Sequence, residues 1–138
     1  MKGKETSINY VSNIIGGLQK ELLSYKDGRK VNPEKISEYY ISLLAIQLAI
    51  PGEIRGYGKF LGSLEAIENG GGKINAALGY LKQLGPGILE KVKTAAEMDK
   101  TLVGRTNPSS LKRDIITRKA EILMSQRGEY GSQEHGRY

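Results

Sequence analysis

Three observations predict an all-α protein. Apolar residues recur at helical spacing along nearly the whole chain, no alternating stretch persists long enough for a sheet, and the breaks carry helix-stop and helix-start chemistry. The 138 residues fit one domain. The expected architecture is a small bundle of five to six helices with extended N- and C-terminal segments. Residues 1–31 form an N-terminal helix and basic turn, 32–126 the helical core and 127–138 a polar tail.

The first helix is expected from Ser7 to Tyr25, with Ile8, Val11, Ile15, Leu18 and Leu22 on one stripe. Gly16-Gly17 weakens it by about 1 kcal/mol per glycine relative to alanine, and such a pair marks a bend or a close backbone contact. Lys26-Asp27-Gly28-Arg29-Lys30 is a cationic turn. Asn32-Pro33 then starts a second helix, a capping side chain followed by proline where its missing N–H costs nothing. That helix runs to Ile50, before Pro51-Gly52, and is apolar nearly all round from Ile41. Leu43, Leu44, Ile46 and Leu48 are therefore expected to be mostly buried.

A third helix is expected from Glu53 to Glu68, ended by Asn69-Gly70-Gly71-Gly72. A fourth runs from Lys73 to Leu84. Gly85-Pro86-Gly87 reads as a break, and Ile88, Leu89, Val92 and Ala95 as a fifth helix ending near Met98. Residues 99–107 read as a loop, and Asn107-Pro108 opens a last helix to about Gln126. No repeat of solenoid length is present.

Composition narrows function. Apolar residues make up 38% of the chain while glycine occupies 18 positions, so the core is modest and some segments need a partner for burial. Without cysteine there is no disulfide framework and no thiolate metal site. The apolar run at Ile41–Ile50 is too short to span a bilayer, and the first residues lack a signal-peptide core. His135, the one histidine, lies in the polar tail, which leaves hydrolase triads without a base and metals without a histidine–carboxylate cluster. Glu65 and Glu68 share a helix face amid lysines and read as solvated. Gly70-Gly71-Gly72-Lys73 lacks the spacing and the Ser/Thr of a phosphate loop. No enzyme activity, cofactor, metal or small-molecule substrate is expected.

The basic residues are more informative. The net charge is +6. Residues 1–35 carry +3, 36–68 carry −2, 69–100 carry +2 and 101–138 carry +3. On a wheel at about 100° per residue the last helix groups Leu111, Ile115 and Ile122 in one cluster and Ile116 with Leu123 in another. Lys112 and Lys119 project between the two. Either their stems snorkel from a packed face, or the face grips a phosphate backbone. Arg29, Lys30, Arg105, Lys112, Arg113, Arg118 and Lys119 are the candidate phosphate contacts. Tyr39, Tyr40, Tyr57 and Tyr80 fall at core-like positions and read as packing side chains. No base-reading motif appears, so binding would go through backbone and shape.

The run Gly56-Tyr57-Gly58-Lys59-Phe60-Leu61-Gly62-Ser63-Leu64-Glu65-Ala66-Ile67, the Gly70–Gly72 break and Leu78-Gly79-Tyr80-Leu81-Lys82 together resemble the core of the major coat proteins of rod-shaped and filamentous archaeal viruses, the rudivirus, lipothrixvirus and tristromavirus group. The resemblance covers about 30 residues in the middle of the chain. It implies a capsid protein that pairs with itself or a paralogous coat protein and wraps double-stranded DNA, holding it in the A form. Many copies would stack into a helical virion, assembled in the host cytoplasm. The first 50 residues carry no such match, and the tail from Arg127 is more polar than the resemblance implies. The alternative is a small helical nucleic-acid-binding subunit of a nucleoprotein complex such as a CRISPR effector.

Overall fold

A computed structural model describes the backbone of residues 6–103 and 110–135 and the side chains of residues 6–97 and 111–125. Among the described residues there are five helices and no strand: α1 (Ser7–Lys26), α2 (Pro33–Ala49), α3 (Tyr57–Glu68), α4 (Ile74–Val103) and α5 (Ser110–His135). The starts follow local chemistry. Thr6 caps α1, its hydroxyl accepting the Asn9 N–H at 3.1 Å. The Asn32 side chain accepts from the Glu34 and Lys35 N–H groups at 3.1 and 3.2 Å, with Pro33 opening α2.

α1 packs chiefly on α4, and α2 chiefly on α5 and α3. α3 also meets α4, whereas α1 and α3 do not touch among the described residues. α2 thus meets α3, α5 and α1. Val11, Leu18 and Leu22 of α1, Ile36, Leu43 and Ile46 of α2, and Phe60 and Leu64 of α3 are fully buried together with Ile88 and Val92 of α4. Each such side chain stabilises the fold by about 1.5–3 kcal/mol through burial. Tyr57 is buried as well; its hydroxyl donates to the Leu43 carbonyl at 2.5 Å, and its ring meets Phe60 edge-on at 6.4 Å. The close contact expected at Gly16-Gly17 is at Gly17, where an added Cβ would stand 2.6 Å from the Tyr39 hydroxyl.

Five expectations are corrected. Gly85-Pro86-Gly87 does not break the chain: α4 runs through it as one helix of 30 residues. Proline in a helix interior costs about 3 kcal/mol through a lost hydrogen bond and a clash with the carbonyl four residues back. Leu81, Leu84, Ile88, Val92 and Ala95 nonetheless keep one buried stripe in phase across the proline, which itself faces solvent. Burial of Leu84 and Ile88 alone offsets a cost of that size. The same helix also takes in residues 99–103, the first part of the expected loop at 99–107, and the rest of that loop lies outside the described residues.

α3 starts at Tyr57, not Glu53, because Gly52 and Gly56 adopt left-handed φ of +82° and +87°, which no right-handed helix can contain. α5 continues to His135, past the expected end at Gln126 and into the segment read as a polar tail. Once nucleated, a helix adds a hydrogen bond for each residue it orders, and no proline stops this one. Finally, Leu43 and Ile46 are fully buried, but Leu44 is only half-buried and Leu48 is 52% exposed. Pattern gives the apolar residues of a helix; only its neighbours decide which of them are covered.

Candidate nucleic-acid interface

The turn between α1 and α2 is held by one side-chain node. The Tyr25 hydroxyl donates to Glu21 Oε2 at 2.6 Å and accepts the Asn32 N–H at 3.2 Å. The Arg29 guanidinium pairs with the same Glu21 carboxylate and lies 5.3 Å from the Tyr25 ring centroid. Burial pushes the Tyr25 phenol above its ordinary value, and the hydrogen bond to Glu21 pushes it further, so it remains a proton donor at neutral pH. Lys26, Lys30 and Lys35 stand exposed around this anchored turn. A long cationic side chain on a fixed backbone loses less freedom on meeting a phosphate than one on a loose loop.

On α5 the two clusters of the wheel separate as spaced. Leu111 and Ile115 are buried and Ile122 packs against the core, while Ile116 and Leu123 are each 43% exposed. Lys112 and Lys119, between them, are half-buried. The Lys112 ammonium lies 5.6 Å from the Tyr10 ring centroid of α1, and its backbone N–H donates to Ser7 Oγ at 3.0 Å. This is the snorkelling arrangement, with the charge resting on an aromatic face.

The other candidates divide. Arg118 donates to Asp114 Oδ1 at 3.2 Å, one turn back along the same helix. Arg113 is exposed, and Arg105 lies outside the described residues. Arg29 and Lys30 therefore share the anchored turn, Lys112, Arg113, Arg118 and Lys119 share α5, and Arg29 and Arg118 are already paired. Sequence reasoning passed over Tyr25 and Glu21, although their spacing of four on a helix next to a cationic turn is a readable signal. Tyr10 and Ser7 left no such signal, since they meet Lys112 only through the fold.

Every buried side-chain nitrogen or oxygen among the described residues has a hydrogen-bond partner. Within that same set no group of histidine, aspartate or glutamate is arranged to hold a metal ion, and no helix is long and apolar enough to cross a membrane. No family model matches the chain, and no curated protein or solved structure is significantly similar to it.

Proposed function

We propose that this protein is a structural, non-catalytic DNA-packaging protein, the coat subunit of a helical filament. The observation that carries the reading is the anchored cationic turn, where Lys26, Lys30 and Lys35 stand in water beside a node that immobilises the backbone. The basic balance of both ends of the chain, and its resemblance in the middle to archaeal viral coat proteins, support the same reading. Phosphates neutralised by these side chains release counterions, which drives binding without regard to base sequence. A net charge of +6 neutralises only part of the DNA that such a subunit covers, so contacts between subunits supply the rest of the stability.

The test mixes purified protein with linear double-stranded DNA, follows binding across a salt series and images the product by negative stain. Regular filaments, with affinity falling linearly against salt on logarithmic axes, are expected. A preference above about 100-fold between unrelated duplexes of equal length, or discrete particles that form only with a guide RNA, would overturn the reading.

A further inference from the structure

We infer that copies of this chain join head to tail, the outer stripe of α5 on one copy docking on the α2–α3 face of the next. The first surface is the row of Ile116 and Leu123, one heptad apart and each 43% exposed. Around the helix this row is bordered by Lys112 and Lys119 on the edge that meets Tyr10 of α1, and by Arg113 on the solvent side. Neither Arg113 nor Lys119 is taken up in a salt bridge among the described residues. It is an apolar strip with a cationic rim.

The second surface lies on α2 and α3. α2 touches both α3 and α5, while those two helices do not touch each other among the described residues. On α2, Tyr40, Leu44 and Leu48 form a row one turn apart, half-covered at Tyr40 and Leu44 and 52% exposed at Leu48. The rim here is acidic. Glu65 and Glu68 of α3 stand close enough that their charges, after burial, push the Tyr40 phenol upward. Neither carboxylate is in a salt bridge among the described residues. Asp114 and Glu121 occupy the edge of α5 roughly opposite Lys112 and Lys119, turned away from α1.

Each copy thus carries one cation-rimmed and one acid-rimmed apolar row, on different helices. Two like faces brought together would oppose like charges, which disfavours a two-fold dimer through either row alone. Unlike faces match, and a contact between unlike faces repeats into rings or open helical filaments. The occupant of each face is therefore a second copy of this chain. The inference rests on the self-association part of the coat-protein reading and names the surfaces that perform it.

A charge-swap experiment without DNA tests it. One variant reverses the cationic rim (Arg113→Glu with Lys119→Glu) and another the acidic rim (Glu65→Lys with Glu68→Lys); both are checked for wild-type helicity by circular dichroism. Sedimentation velocity should show wild type assembling and each variant alone weakened by at least about tenfold. The equimolar mixture should assemble again, because each reversed face then meets a complementary one. A mixture no better than its components overturns the inference, and so does undiminished assembly of either variant. Should a double reversal fail to fold, Ile116→Ser with Leu123→Ser alters only exposed side chains: loss of assembly supports the inference and its persistence overturns it. Failure here with intact, salt-dependent filaments on DNA leaves the coat-protein reading standing. Wild type that stays monomeric with and without DNA overturns both.

Discussion

Ser7 and Lys112 are 105 positions apart in sequence, yet the Ser7 hydroxyl accepts the Lys112 backbone N–H at 3.0 Å. The first residue of α1 therefore caps the first turn of α5, and Thr6, its neighbour, caps α1 itself. Two helix starts, each with N–H groups that have no partner within their own helix, are satisfied by consecutive side chains. This contact fixes the end of α5 that carries Lys112 against α1 and so sets which edge of α5 faces outward.

Replacing Ser7 by alanine should cost about 1 kcal/mol, the usual loss for a capping hydroxyl. Amide exchange at Lys112 should accelerate while that at Asn9, capped by Thr6, stays unchanged. Equal acceleration at both amides would mean that Ser7 supports α1 instead of α5.

The continuity of α4 has its own test. Pro86 is exposed inside a helix that runs unbroken around it, so Pro86→Ala should raise stability by up to about 3 kcal/mol in urea denaturation. A proline located at a true break would give no such gain.

Alkaline stability follows from Tyr57. Burial pushes its phenol far above the ordinary value of 10.0. The folded state thus holds the proton more tightly than the unfolded chain. Its contribution is fully present below about pH 10 and is lost progressively as the pH rises above that value. Melting temperatures of wild type should be flat toward pH 10 and fall beyond it. Tyr57→Phe should flatten the alkaline fall, at a neutral-pH cost of about 1 kcal/mol for the lost bond to Leu43. An equally steep alkaline fall in the variant would assign the effect to other groups.

The two cationic regions should separate in a salt series on duplex DNA. Lys26→Gln with Lys30→Gln should lower the magnitude of the log–log slope by up to about 2. Lys112→Gln with Lys119→Gln should leave the slope unchanged, because those stems are half-buried and the Lys112 charge rests on Tyr10. The reverse pattern would place the DNA on α5.

Much of this protein was legible in one dimension. The all-α class, the caps at Asn32-Pro33, the glycine stop after Glu68 and the burial of Val11, Leu18 and Leu22 follow from spacing and local chemistry, which depend only on near neighbours in the chain. The division of α5 into two apolar clusters with lysines between them was readable too, since a helix wheel needs no tertiary information. What tertiary structure decided is which cluster is covered and which surface is left over. Proline's local penalty at position 86 yields to burial against α1, and Leu48, as apolar as Leu43, stays exposed because the described residues leave it uncovered. Capping of α5 by Ser7 and the seat of Lys112 on Tyr10 exist only once α1 and α5 meet. Spacing determines what a helix offers on each face; burial and long-range contact are collective, and they decide which of those faces remains free for a partner.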